Sequence, residues 1–412
     1  MTYNVLLSSL NVECRANSVQ CGQIFHYLLS NNHRIVNDES KADFIIMNTC
    51  GFLNWYEQSC ERVIQNFINL KKKVKLIVIG CLTKINRDLI AKYHDVIIIN
   101  DLNDLDEYFF TREKFQQRNI YFNNEIFRYL NSSVKLERVK SKNVYVLLIN
   151  FIDKILTRAN ISSFPFNKIR EREIRKGKFF VKIGEGCVGN CSYCIIKKAK
   201  NRIISRKIDD ILIDIKNNID EQKEKNIVLI ADDCGSYGID IGTNIIELLF
   251  QIGNHFPSLG IDIYYLYPKW IEKMGNKLLN VFKQVNINSI NIPIQSGSLK
   301  VLKTMNRSYN LEKIFQFINM LKKISPETMV FTHYLVGFPG EGFKDFLKTL
   351  STVPYFHNFY PFAYSSRKGT KSNEFPNEIP NIMKRIRVTI ILIMLYMNFA
   401  RIILRNIIRR RK

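Results

Sequence analysis

Twice along its length this chain alternates short, wholly apolar runs with amphipathic stretches. That pattern confines it to parallel sheets covered by helices. In the first stretch, Val5-Leu6-Leu7, Phe44-Ile45-Ile46-Met47, Val74 to Ile79 and Val96 to Ile99 read as buried strands. Helices are predicted from about Asn17 to Leu29 and from Trp55 to Leu70. In the second, strands are predicted at Phe179 to Ile183, Ile227 to Ala231, Ile261 to Leu266, Ile290 to Ile294 and Met329 to Val336. Helices near 208–222, 244–252, 271–281, 311–324 and 342–350 separate or follow them. The fold class is therefore α/β: an N-terminal open parallel α/β sheet domain over residues 1–110, then a parallel barrel or partial barrel over 176–372. Residues 111–175 form a basic, poorly patterned connection with one apolar run, Val144 to Ile149. Connections of this length without structure are uncommon. Residues 373–412 form a basic, apolar C-terminal helix.

Ligands of such sheets bind beyond the carboxyl ends of the strands, and chemistry-bearing residues collect there. Directly after the strand at 179–183 comes Gly186-Cys187-Val188-Gly189-Asn190-Cys191-Ser192-Tyr193-Cys194, a C-x3-C-x2-C run of small and polar residues. Three close thiolates suit a [4Fe–4S] cluster with one iron left for chemistry. A zinc site would usually spread its ligands as two separated pairs, and no partner pair follows. In the first domain Cys14, Cys50 and Cys81 each follow a predicted strand. Three distant residues thus converge on one sheet edge, which argues for a second cluster. Cys21, nearby in the chain, competes with Cys14 as the third ligand. Cys21, Cys60 and Cys234 are otherwise read as packing residues.

Cys187, Cys191 and Cys194, with Tyr193 before the last, resemble the cluster loop of radical S-adenosylmethionine (SAM) enzymes. Asn48-Thr49-Cys50, Gly80-Cys81-Leu82, Ile230 to Asp240, Pro293 to Arg307 and Val336 to Glu341 (VGFPGE) extend the resemblance to the methylthiotransferases among them. It covers about Thr2 to about Ser372. It implies that the second domain is the open six-unit radical SAM barrel, a partial (β/α)6 barrel. It implies two [4Fe–4S] clusters, on Cys14, Cys50 and Cys81 (auxiliary) and on Cys187, Cys191 and Cys194 (catalytic). It also implies SAM as cofactor, an electron donor such as flavodoxin or ferredoxin, and insertion of a methylthio group at an unactivated C–H.

SAM must chelate the open iron through its amino and carboxylate groups. Asp232 and Asp233 are candidates to hold the amino group, and Gln295 and Ser296 to bond ribose or carboxylate. Gly337 and Phe338 are candidates to lie against the base. Each also has a plainer reading, as a solvated carboxylate or a turn. Arg307 matches a family arginine and could bind a carboxylate or phosphate. His333 replaces a common family Asp and is read as non-catalytic.

The expected substrate is adenosine 37 of tRNA, of the N6-threonylcarbamoyl type, from the resemblance of SYGIDIGTN. IYYLYP is more similar to the ribosomal-protein branch, so a protein or peptide target (such as a ribosomal-protein aspartate) or a small molecule is the alternative. A non-catalytic RNA- or membrane-binding relic is the third reading. The 61 Lys and Arg against 37 Asp and Glu give a net charge of +24, which favours a polyanionic partner. A genome rich in Lys, Asn and Ile would produce part of that charge. The N-terminal segment lacks a basic region and long apolar core, so no signal peptide is expected. Reduced cysteines fit the cytoplasm.

At its C-terminus the chain departs from the resemblance. The small, TRAM-type β-barrel that usually grips substrate is not expected here; Val388 to Phe399 with Arg401, Arg405 and Arg409 stands at that place. Four-residue spacing aligns the arginines on one helix face. The apolar run is shorter than the ~20 residues a bilayer requires. A helix docked on the barrel is the expectation; contact with a membrane surface is the alternative.

Overall fold

The computed structural model describes residues 1–10, 14–51, 54–70, 73–109, 112–115, 178–200, 202–219 and 225–410. The apolar run 144–149 and nearly all of the predicted connection lie outside the described residues.

Five parallel strands form the first sheet: β1 (Asn4–Ser9), β2 (Arg34–Ile35), β3 (Phe44–Thr49), β4 (Lys75–Gly80) and β5 (Val96–Ile98), in the order β2-β1-β3-β4-β5. Both faces of its central strands are buried. Val5, Leu7, Ile46 and Ile77 pack on one side with Ile24 and Leu28 of the helix Arg15–Ser30. Leu6, Ile45, Met47 and Val78 pack on the other with Cys60 and Ile64 of the helix Asn54–Ile68. Side chains alternate across a strand, so an unbroken apolar run is what a sheet covered on both faces requires. Each buried Leu or Ile contributes about 1.5–3 kcal/mol.

The second sheet contains β6 (Lys178–Lys182), β9 (Asn226–Ile230), β10 (Gly260–Tyr264), β11 (Ile287–Asn291), β12 (Met329–Val336) and β13 (Asn358–Ala363), side by side in chain order. Between β6 and β9 lies a short antiparallel pair, β7 (Gly184–Glu185) with β8 (Ile204–Ser205). Helices follow the strands, as in a partial β/α barrel. Their caps are legible: Asn244 Oδ1 accepts from Ile246 N and Glu247 N at the start of Ile245–His255, and Asn310 Oδ1 from Lys313 N at the start of Leu311–Ile324. An Asn at this position satisfies amides that the first turn leaves open.

Several boundaries differ from the sequence reading. The helix read as Ile208–Gln222 is Ile208–Asn218, and residues 220–224 lie outside the described set. β11 stops at Asn291 instead of reaching Ile294, because Pro293 has no N–H to continue the ladder. β13 escaped the sequence reading altogether. Its sequence, NFYPFA, carries a proline and no clean alternation, which a sheet-edge strand tolerates.

The C-terminal helix runs from Asn381 to Arg410, starting directly after Pro380. It lies against β13 and β12 and buries Val388, Ile391, Leu392 and Leu395. The docked reading is therefore the observed one. Among the described residues no helix is long and apolar enough to cross a membrane. Arg401, Arg405 and Arg409 lie on this helix, with their side chains outside the described set.

Two basic residues of this helix are also buried. Arg387 Nη1 pairs with Glu341 Oε2 and donates to Glu341 O at 3.1 Å, while Lys384 Nζ pairs with Glu378 at 2.9 Å. Burial pushes the Glu341 carboxyl up, against the pull of the Gly337 N–H and Arg387. Removing one partner of a buried pair strands the other charge, at about 3–5 kcal/mol. Arg387→Met should therefore lower the unfolding free energy, read from urea titration, by that amount at neutral pH, and the double variant with Glu341→Gln should recover most of it. The sign with pH follows from the raised carboxyl. Protonated Glu341 is tolerated in the variant's fold, and that stability is lost as pH rises through the folded pKa. The deficit should grow with pH; a deficit indifferent to pH would mean that the pair is not its origin.

Candidate functional site

Gly186 opens the cysteine loop with φ +87°. A Cβ there would run into the carbonyl of Arg202, so only glycine fits. Its N–H donates to Asp232 Oδ2 at 2.8 Å. Beyond it the loop is tied down at several points. Val188 N donates to Ser236 Oγ at 3.3 Å, Ser192 N to Met305 O at 3.0 Å, and Lys197 Nζ to Gly189 O at 3.0 Å. Asn306 Nδ2 donates to Asn190 O at 2.7 Å. These bonds hold the cysteines on a preset backbone.

Gly189 shapes the space between the thiols. Its N–H donates to Cys187 Sγ at 3.1 Å. A Cβ at Gly189 would lie 3.1 Å from Cys187 Sγ and 3.9 Å from Cys191 Sγ, so the missing side chain lets the loop backbone approach two of the sulfurs closely. Among the described residues, no three His, Cys, Asp or Glu side chains converge on a single ion. The loop carries three partly exposed thiols within one C-x3-C-x2-C run, a donor set that suits a polynuclear cluster. Burial, and then the Asp233 carboxylate, push the Cys187 thiol up to about 12. Burial and then Cys191 raise Cys194. Without metal these thiols hold their protons, which a cluster must displace.

The residues considered for SAM occupy the same strand ends, in unequal states. Asp232 Oδ2 pairs with Lys200 Nζ at 3.1 Å. Asp233 is buried and accepts from Gly235 N (3.1 Å), Ser236 Oγ (2.5 Å), Tyr267 N (3.1 Å) and Trp270 Nε1 (2.7 Å). Its carboxylate thus joins the ends of β9 and β10. Ser296 is buried, with its Oγ on Thr349 Oγ1 at 3.1 Å and accepting from Ser298 N at 3.1 Å. Gln295 is partly exposed at φ +66°, a left-handed conformation uncommon for non-glycine residues. Gly337 N donates to Glu341 Oε2 at 2.6 Å, and its open face lies against the Lys384 chain. Phe338 is buried, edge-on to Tyr364 (5.1 Å) and Tyr193 (6.2 Å).

His333 points among the rings of Tyr265, Tyr360 and Phe362, with Asn291 Nδ2 at 3.1 Å from its Nε2. Arg307 donates to Cys191 Sγ instead of to a carboxylate. Sequence reasoning missed Lys200, Tyr267 and Trp270; only the aromatic density of IYYLYP hinted at the middle one.

In the first sheet Thr49 pairs with Gly80 and Ser9 with Asn48. Cys50 and Cys81 therefore leave neighbouring strands at one level, and Cys14 stands at the N-terminus of the helix that follows β1, the strand beside β3. Asn17 Nδ2 donates to Thr49 O at 3.4 Å, and Asn48 Nδ2 to Asn17 O at 3.2 Å, closing that edge. Cys21 is different. It is fully buried among Val5, Leu7 and Ile24, accepts from Asn48 Nδ2 at 3.3 Å, and burial pushes its thiol up to about 12. Burial also pushes Cys60 up to about 12; its Sγ donates to Cys50 O at 3.7 Å. Cys234 donates to Tyr264 O at 3.3 Å and is likewise raised by burial.

Comparison with known proteins agrees with this arrangement. Residues 181–353 match the family model of the radical SAM superfamily, and residues 10–100 that of uncharacterized protein family UPF0004. The chain is 30% identical over 391 residues to the ribosomal protein uS12 methylthiotransferase RimO of Clostridioides difficile, covering 92% of this chain and 79% of that one. The relative of the same name from Thermosipho africanus is 28% identical over 388 residues, covering 92% and 80%. Among solved structures, the fold is similar to the radical SAM methyltransferase TsrM from Kitasatospora setae, solved with cobalamin and a [4Fe–4S] cluster. The TM-score is 0.57 at 11% identity, covering 90% of this chain and 74% of that one. At such identity the likeness is one of fold. The chain belongs to the radical SAM methylthiotransferase family, transferases that use [4Fe–4S] clusters and SAM.

Proposed function

We propose that this enzyme inserts a methylthio group into a ribosomal protein of the uS12 type, and not into tRNA. The observation that carries this is the 30% identity, over 391 residues spanning both domains, to a relative named for that substrate. The earlier expectation of a tRNA substrate rested on SYGIDIGTN and on charge. Charge does not separate the two, since a ribosomal protein bound to RNA offers phosphates as well.

In this reading Cys187, Cys191 and Cys194 hold the SAM-binding cluster, and Cys14, Cys50 and Cys81 the auxiliary one. The bound clusters and SAM supply the radical and sulfur-transfer chemistry. The protein's part is placement and exclusion of water. Gly189 lets the backbone lie close to two of the thiols, and Asp232 and Gln295 present polar groups at neighbouring strand ends. Phe338, Tyr193 and Tyr267 wall the site with rings. A low-potential donor of the flavodoxin or ferredoxin class supplies electrons, and the cytoplasm is the matching compartment.

The test supplies reconstituted enzyme, SAM and reductant with uS12 in one reaction and unmodified tRNA in another, each read by mass spectrometry. Gain of one methylthio group on the protein alone is expected. Gain on tRNA nucleosides alone would overturn the proposal in favour of the tRNA reading.

A further inference from the structure

Arg307 ends the turn after the helix Leu299–Thr304, its N–H held by Leu302 O at 2.8 Å. Its guanidinium is buried and fixed on several sides. Nη2 donates to Pro293 O at 2.6 Å. The group lies 4.5 Å from the Tyr267 ring centroid and 5.7 Å from that of Tyr309. Nη1 is directed to Cys191 Sγ at 3.3 Å and to Tyr193 Oη at 3.5 Å. Nε has no hydrogen-bond partner among the described residues.

What is missing from this set is an anion. Buried charges are paired or coordinate metals, yet among the described residues Arg307 has only carbonyl, ring and hydroxyl neighbours besides the sulfur. Arginine cannot shed its proton to escape that cost. Across the loop the situation is reversed, for Cys187 Sγ lies 3.8 Å from Asp233 Oδ2. One thiol of the triad faces a cation and another a carboxylate.

We propose that Arg307 is a positioning residue that sets the charge balance, and hence the reduction potential, of the cluster on Cys187, Cys191 and Cys194. The inference rests on the proposed assignment of that cluster. Three thiolates make the oxidised cluster anionic. One electron from a low-potential donor protein adds one further negative charge, with no bond made or broken at Arg307. A fixed cation with an N–H on a ligand sulfur favours the reduced state. Hydrogen bonds to cluster sulfurs and net charge are among the factors that set such potentials, and partners of this kind tune metal sites generally. The two rings and Pro293 O prevent the guanidinium from swinging away, so the contact is preorganised.

The experiment uses the full chain with Cys14, Cys50 and Cys81 replaced by alanine, so that one cluster remains. The midpoint potential is read by electron paramagnetic resonance during a redox titration, beside iron content. Arg307→Met should retain about four irons per chain and shift the midpoint to more negative potential. Arg307→Lys, which keeps the charge, should fall between. Loss of iron in the Met variant with retention in the Lys variant would also support a requirement for charge. Unchanged midpoints in both loaded variants would overturn the inference, and so would equal loss of iron from both, which marks a scaffold role. No iron in the parent would overturn the cluster assignment itself, and this inference with it.

Discussion

Replacing Cys187, Cys191 and Cys194 together by alanine is expected to lower the iron of anaerobically reconstituted protein from about eight to about four per chain. Reductive cleavage of SAM should disappear with it. The loop carrying these residues is held by its own backbone bonds and by Met305 O and Asn306 Nδ2, none of which involves a thiol, so the variant should keep its fold. Circular dichroism and the urea midpoint provide the check on that. A fall from about four irons to none would carry the opposite lesson: Cys14, Cys50 and Cys81 would then hold no cluster, and a methylthio donor would be lacking.

The converse substitution should separate the two halves of the reaction. Cys50→Ala with Cys81→Ala removes two proposed ligands from adjoining strand ends, β3 and β4. About four irons should remain, SAM should still be cleaved, and methylthio transfer to the substrate should fall below detection. Cys21→Ala is the control. Its thiol is sealed among Val5, Leu7 and Ile24, so iron content should hold while stability drops by about 1 kcal/mol. If Cys21→Ala lost iron and Cys14→Ala did not, the third ligand would be Cys21.

Much of the first sheet was legible because its central strands are buried on both faces, which writes them as unbroken apolar runs. Phe44 to Met47 and Val74 to Ile79 needed no other signal. β13 was illegible for the opposite reason: a strand at a sheet edge, with Pro361 and polar residues in it, carries no burial pattern. The cysteine loop was readable as a local spacing. The contacts around it were not: Arg307 reaches Cys191 from the turn after the helix Leu299–Thr304, and Tyr267 and Trp270 hold the Asp233 that faces Cys187, approaches that no sequence spacing encodes. The C-terminal helix shows a further limit. Its apolar stretch predicted docking, but the burial of Lys384 and Arg387 against Glu378 and Glu341 runs against composition. Only the position of the VGFPGE turn explains it.

The pairing of Thr49 with Gly80 has a bearing on the order of assembly. A parallel pairing between segments about thirty residues apart forms late, because the chain must close that loop before any contact rewards it. The proposed site on Cys14, Cys50 and Cys81 therefore does not exist on a nascent or partly folded chain; it is completed only when β1, β3 and β4 are in register. The loop from Cys187 to Cys194 gathers its thiols within eight residues and does not wait for distant strands to bring them together. Maturation should accordingly be sequential, with the contiguous loop competent first and the sheet edge last. Local opening of the first sheet would release the second site's metal while leaving the first one charged.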